Sequence, residues 1–585
     1  MLLKPDVRVG AVRAARVGSV GIVAVGAAVC AVAAQPAARH AAPADVAIVN
    51  ASIWTGAPTD RAAGRTVSAP VALAVQGQRI VAVGDAVSVR ARIGPKTRVI
   101  DARGRRVIPG ITDSHTHMVS GGLQLGRLHL RDVRSRDAFI RAVADEAKTK
   151  APGAWVIGGR WSVESWADPQ PPDKGWLDPV TGDKPVFLTR MDGHQALVNS
   201  AALRLAGIDA RGPADPAGGE IVRDPTTGEP TGILKESAMG LVAAHMPDTT
   251  PAERYDAFRR AMRHANALGV TSVHDMCSLA DLDVFRRAYK AGEMTVRVNA
   301  YLSVSDWAAH VDKLDGYGLH NAMVHLHGFK GFMDGSLGSR TAYMRAPYRD
   351  ATAETRYPRG QLNDMADPPE AFKALVAMAD GHGVQLAVHA IGDEANHLLL
   401  DAYAYAAGRN GARDARHRVE HAQHLLMPDI PRFAALGVVA SMQPFHKADD
   451  GRYADEALEP ERLAGSYAYR QLLSAGALLV FGSDWPVVTM DPFAGIDAAV
   501  NARTLDGKVW LPSHSIGVEA AIRAYTVSPQ HAVHRERRLG TLQVGKLADL
   551  VILSADPLTM RRENVGAVRA VLTMVDGRVV FEREE

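Results

Sequence analysis

The chain has 585 residues, 47% of them hydrophobic and 22% charged, with 67 Lys and Arg against 64 Asp and Glu. Those proportions exclude a disordered, collagen-like or coiled-coil chain. Four of the basic residues (Lys4, Arg8, Arg13, Arg16) and one acid (Asp6) lie in the first 34 positions, so the remainder is net neutral and offers no basic surface for a nucleic-acid partner.

In chain order, the basic residues are followed by an uncharged run, Val17 to Ala34, that ends in small residues before Gln35-Pro36. That layout predicts a signal peptide over 1–34, cleavage near Ala33 or Ala34, and a periplasmic or secreted protein without stable membrane association afterwards. The alternative is an uncleaved anchor, which the run's Gly and Ala content disfavours. Cys30 follows Val29 rather than a small residue, which argues against lipidation, and cleavage leaves Cys277 without a disulfide partner.

Short β-branched runs follow: VAIVNASIW, VALAV, RIVAVG and RVIDA, with a Gln-Gly-Gln hairpin turn. The C-terminus repeats the pattern in DLVILS, AVRAVLTMV and RVVF, where Asp576-Gly577 signals a two-residue hairpin. Neither end holds enough strands for a core, so 46–105 and 541–583 are expected to form one small β-sandwich. Between them, over 106–540, eight apolar segments that alternate with helical stretches predict a (β/α)8 barrel of the TIM type. They are 107–117, 271–275, 296–304, 327–335, 384–393, 417–423, 438–444 and 478–486. The count treats about 118–269 as an insertion plus the first helix. With Trp161, Trp166, Trp176 and several prolines, that insertion reads as a lid or substrate wall.

Barrel chemistry sits at the strands' C-terminal ends. His115 and His117 end the first segment, two apart, so both imidazoles reach one side. With 22 histidines, one such pair is expected by chance, and His325-Leu326-His327 is a second; by strand parity it lies opposite Lys330 and reads as outward-facing. His389, His421 and Asp484 close three further segments, which removes chance as an explanation for the first pair. Imidazole and carboxylate together suit zinc or a similar divalent ion. Lys330, inside the fourth segment, either points away or is held neutral by burial.

The stretches PGITDSHTH, DGHQALVNSAAL, GFKGFMDGSLGSRTA, VHAIGDEAN, RVEHAQ, GSDWPV and GTLQVGKLADLVIL resemble the amidohydrolase superfamily. Within it they are similar to the YtcJ-like branch (amidohydrolase family 3) that includes N-substituted formamide deformylase. The resemblance implies that His115, His117 and Asp484 bind one metal ion, most simply zinc. It implies that His389 and His421 bind a second, with carboxylated Lys330 bridging the two; a one-ion site is the alternative. His194 and Arg340 are implied substrate contacts, or else structural hydrogen-bonding residues. The implied reaction is hydrolysis of an amide or cyclic-amide C–N bond, with Asp484 moving the proton. A phosphotriesterase- or lactonase-like hydrolase and a non-catalytic secreted ligand-binding barrel are the alternatives. The expected partner is a small amide with an apolar substituent, because Trp155, Trp161, Trp166 and Trp176 cluster in the insertion; a homodimer is compatible with the sequence.

Overall fold

The computed structural model describes residues 42–58, 70–164, 166–311, 321–353 and 355–584. The predicted signal peptide and its cleavage point lie outside them. Eight parallel strands form the barrel: Ile111–Thr116, Val270–Met276, Arg297–Ser303, Val324–Phe332, Gln385–Ala390, Arg418–His421, Val439–Met442 and Leu478–Phe481. Each pairs with the next in sequence. Strands packed inside and out read as continuous apolar runs, which is why the sequence shows them. The eighth segment meets the first through a parallel bridge between Thr116 and Trp485, with Asp484 N–H donating to the His115 carbonyl at 2.7 Å.

Two details depart from the sequence reading. The run 107–117 is two strands: Arg106–Pro109 pairs with Leu550–Leu553 outside the barrel, and the barrel strand starts at Ile111. Gly110 makes the crossing, because a Cβ there would stand 2.2 Å from Thr271 Oγ1. The pair His325 and His327 does not face outward. The register against the third strand slips between Ala300 and Tyr301, so that Tyr301 pairs with Gly328 and His327 is the extra residue. This bulge reverses parity, so His325 shares the inward face with Lys330. The His327 ring packs on Tyr301 at 5.6 Å, low in the barrel and away from the strand ends.

The chain ends build two sheets. Arg79–Gly84, Ala72–Gln76, Val46–Val49 and Arg98–Asp101 form one. Ser52–Ile53, Arg106–Pro109, Leu550–Leu553, Ala570–Val575 and Arg578–Glu582 form the other, which joins both ends of the chain. They share a core that includes Ile48, Leu73, Val107, Leu550, Ile552 and Leu572. The turn at Asp576-Gly577 has positive φ at both residues (55° and 76°), as a type I′ hairpin requires.

After the first barrel strand, Met118–Gln124 packs on Pro251–Ala267, the latter opened by a Thr250/Glu253 capping box. A Cβ on Gly122 would lie 1.9 Å from the Ala257 carbonyl oxygen, so the close approach needs glycine. Between these helices lies a six-stranded sheet, in the order Gly219–Arg223, Pro230–Glu236, Gln195–Val198, Val186–Arg190, Val156–Trp161, Leu128–His129. Here the tryptophan reading is corrected. Trp161, Trp166 and Trp176 are buried with Phe139, Val143 and Leu177 in the insertion's own core. The Trp161 and Trp166 indoles donate to the Leu188 and Val133 carbonyls. Trp155 packs against a separate apolar cluster that includes Phe187 and Leu234. None of them forms a wall of the pocket beside the strand ends.

Candidate metal centre

His115, His421 and Asp484 are buried, and one ligand atom from each lies within 4.8 Å of the others. His117 joins them, with Nε2 at 3.1 Å from Asp484 Oδ1. His389 lies on the far side of His421, ring centres 4.4 Å apart. Lys330 reaches inward from the fourth strand, Nζ 3.3 Å from His115 Nε2 and over the Phe332 ring. The six residues predicted as metal ligands therefore converge on one place.

The backbone is arranged to aim them. Asp484 and His421 have φ of 61° and 78°, left-handed conformations costing about 1–3 kcal/mol each that the surrounding structure must enforce. Buried Asp113 accepts from Ser483 N–H and Oγ–H and from His115 N–H, tying the first strand to the Asp484 loop. Buried Asp275 accepts from Met118 N–H and Thr116 Oγ–H beneath His117. Burial raises both carboxyls to about 7.

Each histidine has one ring nitrogen committed, which settles the nitrogen left for an ion. His115 Nδ1 donates to Glu420 at 2.5 Å, His117 Nδ1 to the Met276 carbonyl at 3.0 Å, and His421 Nδ1 to Gln443 Oε1 at 2.8 Å. All three present Nε2. His389 is the reverse: its Nε2 donates to the Gly335 carbonyl at 2.9 Å, leaving Nδ1. Glu420 is itself held by Arg418 and by Ser441 Oγ–H.

The protonation states match. Burial and the adjacent Lys330 hold His115 down to about 4, against Glu420, and burial with His389 holds His421 well below its usual range. Both are the neutral imidazoles that metal binding needs. Burial opposes ionisation of Asp484, but His115 and the His117 hydrogen bond outweigh it and keep the carboxylate charged. Burial lowers Lys330 to about 8. Among the described residues the donors fit a divalent ion in number and in kind.

The pocket above is lined among others by Asp192, His194, His446, Asp449, Asp450 and Tyr453, with Leu337, Ile391, Val487 and Val488 as apolar wall. His194 meets the His389 ring at 5.2 Å and its Nδ1 binds Glu236 at 2.9 Å. Burial opposes its charge, yet Glu236 lifts the imidazole to about 9. Arg340 is not part of that lining: its guanidinium binds Asp350 and the Leu337 carbonyl. The sequence reading missed Glu420, Gln443 and His446. His446 stacks on His421 at 6.0 Å, with Nε2 4.0 Å from Asp484 Oδ2. Glu420 had a signal, a carboxylate one position before His421 in an apolar strand.

Comparison with known proteins agrees with this geometry. The profile described as "Amidohydrolase family" matches residues 98–581. The chain is 31% identical to the putative amidohydrolase YtcJ of Bacillus subtilis over 84% of its own length and 91% of the relative's. It is 27% identical to N-substituted formamide deformylase of Arthrobacter pascens, over 92% and 98%. Among solved structures, an uncharacterised metal-dependent hydrolase of Pyrococcus furiosus superposes with a TM-score of 0.66 at 28% identity, covering 88% of this chain and all of that one.

Proposed function

We propose, on the premise that this chain belongs to the amidohydrolase family, that it hydrolyses the C–N bond of a small amide with a metal-activated water. The observation that carries the reading is the buried convergence of His115, His421 and Asp484. A divalent cation, zinc by its match to the donors, supplies Lewis acidity that acidifies water and polarises a carbonyl. His115, His117 and Asp484 would hold one ion and His389 and His421 a second, with Lys330 as a further ligand once its neutral amine has added carbon dioxide and released a proton to form a carbamate.

The chain's own groups supply the rest. Asp484 takes the proton of the attacking water and delivers it to the amide nitrogen, which is too basic to leave as an anion. His194, with Nδ1 bound to Glu236, keeps an Nε2–H to donate toward a developing oxyanion. The deformylase name of one relative favours C–N over ester or phosphotriester cleavage.

The test combines metal content by mass spectrometry with a panel of N-substituted formamides, cyclic amides, lactones and phosphotriesters. The expected result is amide turnover that chelation abolishes and zinc restores. Turnover that survives complete metal removal, or tenfold preference for the ester or phosphotriester series, overturns the reading.

A further inference from the structure

Buried arginines in this protein are usually matched by acids: Arg190 by Glu164 and Asp192, Arg297 by Asp549 and Asp576, Arg418 by Glu420. Arg131 and Arg160, half-buried near the metal centre, are not. Arg131 Nη1 donates to the Val487 carbonyl at 2.6 Å, and its Nη2 is buried without a hydrogen-bond partner. Arg160 Nη1 donates to the Met191 carbonyl at 3.3 Å, and its Nε is likewise buried and unpartnered. Among the described residues neither forms an ion pair.

Neither lines the pocket, but the carbonyls they bind place both at its edge. The strand carrying Arg160 pairs Gly159 with Thr189 but Trp161 with Arg190, so Arg160 is the extra residue of a bulge, with φ of 64°. Bulges of this kind re-aim a side chain, and a non-glycine residue holds a left-handed φ only at a cost. The carbonyls the two arginines bind belong to Met191, next to the pocket residue Asp192, and to Val487, itself a pocket residue. Arg160 is near enough to feel the charges of Asp484, Asp192 and Arg131. The acids of the pocket are already engaged: Asp192 by Arg190, Ser336 and Ser339, Asp449 by Arg452, and Asp450 by Gln423, Tyr453 and Tyr467.

Two neighbouring guanidiniums with buried donors and no acid of their own are an incomplete arrangement, because buried charge is normally paired. We propose that Arg131 and Arg160 form an anion-binding subsite at the rim of the metal centre, and that the amide this protein hydrolyses carries a carboxylate. The guanidinium fork suits a planar carboxylate. The substrate class is then an N-acyl amino acid or similar anionic amide, rather than the neutral apolar amide the tryptophan count suggested. The inference rests on the amide-hydrolase reading.

The test uses N-formylphenylalanine and N-formylphenethylamine, which differ by the carboxylate alone, on the zinc-loaded full chain. The ratio of kcat/KM, acid over amine, is expected to be tenfold or more. It falls toward one in Arg160→Gln and Arg131→Gln and is partly kept in Arg160→Lys. A ratio near one in the unaltered protein, or one unchanged in both Gln variants, overturns the subsite. Calorimetric titration with phenylacetate reads the subsite without turnover. Binding weakened tenfold or more in Arg160→Gln supports it even if no amide is cleaved, in which case only the hydrolase reading fails. Binding that is absent, or equal in the variant, overturns it.

Discussion

Glu420 tests the centre without altering a ligand. Its buried carboxylate accepts from Arg418 Nε at 2.7 Å, Ser441 Oγ at 2.7 Å and His115 Nδ1 at 2.5 Å. Burial alone would raise its pKa, but Arg418 and His115 hold it at about 2 against an ordinary 4.5. At 1.36 kcal/mol per pH unit, that depression corresponds to stabilisation on the order of 3 kcal/mol. Because the folded-state value is the lower one, the stabilisation is complete above pH 4.5 and is lost as the pH falls through about 2. Glu420→Gln keeps the shape and removes the charge, leaving Arg418 buried without its counter-ion. Breaking one partner of a buried pair costs about 3–5 kcal/mol, in line with the first figure. The same change weakens the acceptor that orients His115, and loss of such a partner lowers metal affinity by about 10–100-fold. Denaturant unfolding of the chelated protein reads the first effect and metal retention against a competing chelator reads the second. A variant within about 1 kcal/mol of the unaltered protein and within twofold in metal affinity would refute the argument that Glu420 holds His115 for an ion.

Lys330→Ala is expected to lose bound metal, with activity partly rescued by small carboxylic acids that replace the carbamate; full metal content and activity would remove Lys330 from the centre. Asp484→Asn should keep the fold and the metal at His389 and His421 while kcat falls by about 10²–10⁴-fold, and a loss below tenfold would refute its proton-transfer role. Gly122→Ala drives a methyl group into the Ala257 carbonyl and should destabilise by about 1–3 kcal/mol or more. An unchanged calorimetric melting temperature would show that the two helices can separate freely. N-terminal sequencing of protein from its producing cell should begin near Gln35, and an intact Met1 on soluble protein would sink the export proposal.

The barrel was legible because each strand is packed on both sides and so appears as an apolar run with its polar residue last. That one property exposed the strands and five of the six proposed ligands. Lys330, mid-strand, needed the family resemblance. What stayed hidden depends on closure. Glu420 acts on His115 from another strand, and Gln443 orients His421 from the segment beyond it, so neighbours in sequence say nothing of either contact. The bulge at His327 is a one-residue slip that reverses strand parity, and no residue type announces it. Arg340 sits in a stretch shared with the family, yet Asp350, ten positions on, takes its guanidinium.

The tryptophans show a different limit, because their number was informative and their direction was not. Clustered aromatics mean a large buried surface, but whether a ligand or the protein covers it depends on packing partners. Here the partner is the helix Arg136–Thr149, whose Phe139 meets the stacked Trp166 and Trp176 rings edge-on at 6.2 and 5.9 Å. That core fixes the insertion's sheet, and the sheet in turn delivers Arg160, Asp192, His194 and Glu236. Asp192 is locked to the barrel by Ser336 and Ser339, and Glu236 by Thr341. The proposed ligands therefore all come from the barrel, while the insertion adds Asp192 and His194 to the pocket wall, held by a few hydrogen bonds to the loop after the fourth strand. A change in substrate can then arise by altering the insertion's strand ends while the barrel's ligands and their partners stay in place.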